Sequence, residues 1–122
     1  MNDAARLLEG LRIQEVRYRA VAEAVGDQAR ATAAGDVDGL LKAVARQTNL
    51  LREIEDVGRD LAPLRARWPE LKAAADPALA AAVEDTLRRT RDLLEGLLRE
   101  AGGAPAPAAR PPAPRLRAAY GG

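Results

Sequence analysis

The sequence predicts an all-α protein: an antiparallel helical hairpin plus a third helix, a three-helix, coiled-coil-like bundle, with a disordered Pro/Ala/Gly-rich C-terminal tail. Three observations predict it. The apolar material is of the helical kind, with 28 Ala and 17 Leu against 2 Ile and 7 Val. Ala and Leu are strong helix formers, and the β-branched side chains that build sheets are scarce. Apolar residues recur at steps of three and four over long stretches, the period of a helix face. Stop and start residues fall between those stretches, at Gly35-Asp36 and Asp76-Pro77.

The first helix is expected over about residues 3–33. Ala4, Leu7, Leu11, Tyr18, Val21 and Val25 form a stripe with heptad-like steps. Gln14 stands where an apolar residue is missing, and Gln28 continues the line; polar residues in such a seam lower stability and fix register. Ile13, Val16 and Ala20 form a second, shorter stripe beside the first, and Gly10 and Gly26 are costly inside a helix. Gly35 suits the left-handed residue after a helix end and Asp36 the N-cap of the next, so the two helices form a tight hairpin.

The second helix is expected over about 37–68. Its stripe runs Val37, Leu40 or Leu41, Val44, Leu51, Ile54, Val57, Leu61 and Leu64, and it stays in phase to Trp68. Pro63 removes a helical hydrogen bond and crowds the preceding turn, so a kink or a break near Ala62 with prompt resumption is expected. Trp68 is expected to plug the end of the bundle, and a short segment, Glu70 to Ala75, to form one or two helical turns. Asp76-Pro77 combines an N-cap with a proline at the first helical position. The third long helix then spans about 77–101, with Leu79, Val83, Leu87, Thr90, Leu94 and Leu97 in its stripe and Leu93 and Leu98 widening it. Gly102-Gly103 closes it. Residues 102–122 hold 5 of the 8 prolines and 3 Arg without an acid, a composition that cannot offset the entropy of ordering. The net charge of +1 thus divides into +3 in this tail and −2 in residues 1–101, the expected helical domain.

The absences narrow the chemistry. The chain has no Cys, His, Ser or Phe. That excludes disulfides, thiolate nucleophiles, zinc-thiolate sites and a Ser-His-Asp triad, and removes the usual general base. The acids Glu53, Glu55, Asp56, Glu84, Asp85, Asp92 and Glu95 lack the histidines that metal-binding bundles use. Pairs such as Glu55 with Arg59, Glu84 with Arg88 and Glu95 with Arg99 read instead as a solvated, salt-bridged face. No cofactor, metal site or enzymatic activity is expected. Arg110, Arg115 and Arg117 without interleaved aromatics are a poor nucleic-acid signal. No apolar run approaches a membrane span, and no signal-peptide core follows the N-terminus, so a cytoplasmic protein is expected.

The remaining signal is an excess of apolar helix surface. Leu93-Leu94 and Leu97-Leu98 make the last helix apolar over more than one face, wider than a hairpin partner covers. Burial by a partner or by the chain itself are the two readings. The long first helix, the turn Ala33-Ala34-Gly35-Asp36-Val37-Asp38-Gly39-Leu40-Leu41 and the second helix with Leu50-Leu51-Arg52-Glu53-Ile54 resemble the FlgN family of flagellar type III export chaperones. Members of that family often show a Gly-Asp turn before a Leu-rich helix, then a third helix and a flexible tail carrying a Tyr-Gly pair, here Tyr120-Gly121. The resemblance extends over nearly the whole chain. It implies a cytoplasmic chaperone that binds the C-terminal amphipathic segments of hook-associated proteins and delivers them to the export gate. Leu87, Thr90, Leu93, Leu94, Leu97 and Leu98 are the candidate client-binding residues, and Tyr120 and Gly121 the candidate gate-docking residues. The alternatives are a self-associating coiled-coil structural or adaptor protein, which would form a homodimer, or another type III secretion chaperone.

Overall fold

The computed structural model describes residues 2–102, and its elements are four α-helices. Helix α1 spans Asp3–Ala34, α2 Val37–Ala66, α3 Trp68–Ala74 and α4 Pro77–Gly102. The fold is all-α, as composition and periodicity predict. The chain divides into two units, Met1–Arg91 and Asp92–Gly122. The first holds α1, α2, α3 and the opening turns of α4; the second begins within α4.

Side-chain chemistry sets the helix ends. Asn2 Oδ1 accepts from the Ala5 N–H at 2.7 Å and starts α1. Gly35 takes the left-handed conformation at φ 68° and ψ 24°, which costs glycine nothing. Its N–H reaches Thr32 O at 3.2 Å, and that of Asp36 reaches Ala31 O at 2.9 Å, so the carbonyls of the last turn are satisfied. Asp36 Oδ1 then accepts from the Gly39 N–H at 2.9 Å. Asp76 Oδ2 accepts from Ala78 and Leu79 at 3.1 and 3.4 Å, and Pro77 is the first residue of α4.

Of the kink or break expected near Ala62, a break does not occur there. Helix α2 runs through Pro63 to Ala66, and the break comes at Arg67, with φ −97° and ψ 7°. Only the last turn lies beyond the proline, so little helix has to bear the lost hydrogen bond. Pro69 then sits in the first turn of α3, where its missing N–H has no intrahelical partner to lose.

The core lies in the first unit. Leu7, Leu8, Leu11, Leu61, Leu64 and Val83 form one buried cluster, and Val57, Trp68, Leu71, Leu79, Ala82 and Leu87 pack against it. Each leucine of this kind contributes about 1.5–3 kcal/mol of burial. All of these residues come from the start of α1, the end of α2, α3 and the start of α4. The indole of Trp68 closes this end, and its Nε1 donates to Glu84 at 3.2 Å. Beyond Val21 toward the Gly35 turn, the buried residues of α1 and α2 are Ala24, Ala31 and Ala43. There each side chain offers a single methyl group.

Polar residues stitch this thin seam. Gln14 is buried and its Nε2 donates to Ile54 O at 3.2 Å. Gln47 Nε2 donates to Gln28 Oε1 at 2.6 Å. These are the two glutamines that interrupt the apolar stripe of α1, and their partners lie on α2. At Gly10 the pair is packed tightly: a methyl group there would lie 2.8 Å from Leu61 Cδ1 and 2.9 Å from its Cγ.

Two substitutions separate these contributions. Gly10→Ala gains about 1 kcal/mol of helix propensity but forces apart a packed crossing at a cost of about 1–3 kcal/mol. Urea unfolding is expected to show net destabilisation; a more stable variant would mean that Leu61 moves freely. Leu7→Ala is expected to cost about 2–5 kcal/mol, whereas Val16→Ala, at a side chain 61% exposed, should change stability by no more than about 0.5 kcal/mol.

Candidate functional site

The charged groups of the first unit act as staples. Glu15 is buried on α1 with its carboxylate toward α4. Arg89 Nε donates to it at 3.0 Å and a terminal Arg89 nitrogen at 3.3 Å, while Arg19 donates at 2.8 Å from the next turn of α1. The Arg89 hydrogen bonds hold the Glu15 carboxyl below its ordinary value of 4.5, with the charges of Arg89 and Arg19 adding to them against the opposing effect of burial. Arg89 also donates to Thr86 Oγ1 at 3.3 Å, so one guanidinium ties a buried acid to a buried hydroxyl. Lys72 first and Trp68 second lower the pKa of Glu84 by hydrogen bonding.

The exposed ion pairs differ from the expected set. Arg59 pairs with Asp56 and Arg88 with Asp85, each three residues apart, in place of Glu55 and Glu84. Glu84 instead turns to Lys72 of α3 at 2.9 Å. Arg17 Nε lies 2.8 Å from Glu53 Oε1, a charge contact without hydrogen-bond alignment. Among the described residues no group of three or more acids gathers to hold a metal ion. Of the acids singled out in the sequence, Glu53, Asp56, Glu84 and Asp85 have cationic neighbours.

Several large apolar side chains are exposed. The candidate client-binding residues all lie on α4, Leu87 and Thr90 in the first unit and Leu93, Leu94, Leu97 and Leu98 in the second. Leu87 is half-buried and packs on the core cluster. Thr90 is half-buried, and its Oγ1 is enclosed without a hydrogen-bond partner among the described residues. In the second unit Leu93, Leu94 and Leu97 are half-buried and Leu98 is 70% exposed. At about 100° per residue these four span an arc of about 140° on α4. Tyr120 and Gly121 lie outside the described residues.

Two further apolar surfaces were not anticipated as sites. On α1, Ala5, Leu8, Ile13 and Val16 line an open concavity of about 500 Å³, rimmed by Glu9, Arg12 and Arg17. On α2, Val37, Leu41, Val44 and Leu51 are 64%, 62%, 41% and 48% exposed. The sequence presents these four as the beginning of the same stripe that supplies Ile54, Leu61 and Leu64 to the core. Steps averaging below 3.6 residues make such a stripe wind around a straight helix. Its later residues face α1, and its earlier ones have turned to solvent. The signal was the alternation of three- and four-residue steps from Val37 to Leu51, which only a count of angles separates from the core face.

No known protein family, curated protein or solved structure matches this chain. Among the described residues, no helix is long and apolar enough to cross a membrane.

The Glu15 staple makes a pH prediction. A carboxyl whose pKa is lower in the folded state binds fewer protons there than in the unfolded chain. Its contribution is complete above its ordinary value of 4.5 and is lost as pH falls through the folded value. Glu15→Gln is expected to lower stability at pH 7 and to narrow its gap to the parent below pH 4.5. Chemical unfolding across pH reads this directly, and a gap independent of pH would remove the charge of Glu15 from the account.

Proposed function

We propose that this chain is a cytoplasmic export chaperone of the flagellar type III kind. It holds the C-terminal amphipathic segment of a hook-associated protein against an apolar helix face and carries it to the export gate. The observation that carries this reading is the patch of Leu93, Leu94, Leu97 and Leu98, which is wide for one helix and includes a leucine 70% exposed. A client helix in groove-like contact with such a face would anchor through residues spaced three and four apart. The architecture that resembles the FlgN family supports the same reading: a long hairpin, its Gly35-Asp36 turn and a third long helix. Leu87 is half-buried against the core cluster, so the exposed part of the proposed face centres on the other four leucines. In this division of labour the tail with Tyr120-Gly121 engages the gate while α4 retains the cargo.

Fluorescence anisotropy with labelled C-terminal segments of hook-associated proteins tests the proposal. The parent chain is expected to bind, and Leu94→Asp with Leu98→Asp to weaken binding by at least about tenfold, or 1.4 kcal/mol, with helix content unchanged by circular dichroism. A folded parent chain that binds none of these segments contradicts the proposal. Removal of residues 104–122 is expected to leave client affinity intact and to abolish export in a secretion assay. A collapse of affinity would instead place the tail in the binding site.

A further inference from the structure

We infer that the outward face of α2 is a self-association surface and that a second copy of this chain occupies it in an antiparallel, two-fold arrangement. Val37, Leu41, Val44 and Leu51 follow steps of four, three and seven and are 41–64% exposed; Thr48 fills the missing heptad position. That is the spacing of a seam that packs knobs into holes. Contiguous exposure of this kind is a mark of an interaction surface. The seam lies wholly within the first unit.

The edge of the stripe selects the occupant. One edge faces α1 through Gln47 and Ile54, which are engaged with Gln28 and Gln14. The other edge is a single row spaced by seven: Asp38, Ala45 and Arg52. All three are exposed, and neither Asp38 nor Arg52 has an ion-pair partner among the described residues. The row is self-complementary, with an acid at one end, a base at the other and a methyl group at the centre. Turning a second copy end over end about Ala45 sets Asp38 beside Arg52 of that copy, twice. Small Ala45 faces its own counterpart on the axis, where two helices need to come close. A parallel arrangement would instead set this row against the opposite edge of the second copy, Leu40, Gln47 and Ile54, which offers Asp38 and Arg52 no counter-charge and already faces α1. A closed two-fold pairing of one patch with itself is also the commonest solution for homo-oligomers.

Light scattering and sedimentation of the full chain are expected to show a dimer that dissociates on dilution, and a monomer at concentrations on the order of 100 μM overturns the inference. Val44→Asp should abolish the dimer while the helical signal is kept. Asp38→Arg should weaken it about tenfold at low salt, since two exposed pairs become repulsive, and Asp38→Arg with Arg52→Asp should restore it. Equal weakening by the single and double variants overturns the charge pairing.

The absence of cysteine allows a direct reading of direction. Under oxidation Ala45→Cys is expected to crosslink to itself. Asp38→Cys should not, because the two sulfur positions lie about 21 Å apart along the helix axis in the antiparallel arrangement. Crosslinking of Asp38→Cys, or none by Ala45→Cys, overturns the arrangement. A monomeric chain in which Val44→Asp abolishes client-segment binding would assign the stripe to the client. The α4 patch plays no part in these measurements, so their failure leaves the chaperone proposal standing.

Discussion

The two-residue turn at Gly35-Asp36 is the constraint on which the first unit depends. With no slack between them, α1 and α2 must pair antiparallel from the turn outward, and the contacts form a ladder of fixed register. Arg46 meets Glu23, Gln47 meets Gln28, Arg17 meets Glu53, Gln14 meets Ile54, Gly10 meets Leu61, and Asp3 meets Arg67. A slip by one residue would bury charges and strand both glutamines. Gly10 and the seam glutamines are thus poor helix or core residues that suit one register, and a seam of alanines alone would not discriminate between neighbouring registers. Buried polar groups of this kind add specificity where apolar area is small.

The register also decides where mass can accumulate. Leucines are concentrated at the end of the hairpin away from the turn, where α3 and the start of α4 add Trp68, Leu71, Leu79 and Val83. Glu15 is carried to that side of α1 and needs a counter-charge, which Arg89 supplies from α4. At the turn end the helices meet through alanines, and an alanine buries about one methyl group where a leucine buries four carbons. The molecule is therefore stabilised unevenly, and the uneven part is the one that leaves α2 apolar toward solvent.

Most of the fold was legible because its punctuation is chemically explicit. Gly35, Asp36, Asp76 and Pro77 each have a conformational reason for their place, and the helix ends follow them closely. Gln14 and Gln28 were legible as irregularities in a stripe, although their partners were not, since those depend on the register of a second helix. The break at Arg67 was not legible: proline marks where a helical hydrogen bond is missing, and the helix continues one turn beyond it. Glu15 was hidden for a similar reason, because its partner Arg89 is 74 residues away. Of the candidate site, the breadth of the apolar arc on α4 was legible, but not that Leu87 belongs to the core cluster. The stripe on α2 is one line in the sequence, and its winding divides it between core and surface.

The two apolar surfaces differ in a way that bears on what each can hold. The α2 stripe mixes valine and leucine beside one acid and one base placed symmetrically about Ala45. Stiff β-branched side chains and a symmetric charge row favour one geometry and one partner. The α4 patch consists of leucine doublets beside Asp92, Glu95, Arg99 and Glu100, without that symmetry. Leucine has more rotamer freedom than valine, and such a surface adapts to segments of different sequence. It also loses more side-chain entropy on binding, which keeps affinity moderate. Under the proposed function that moderation would let a carrier release its cargo. Under the proposed self-association, rigid shape and paired charge would set the assembly, and the composition of the two surfaces divides along that line.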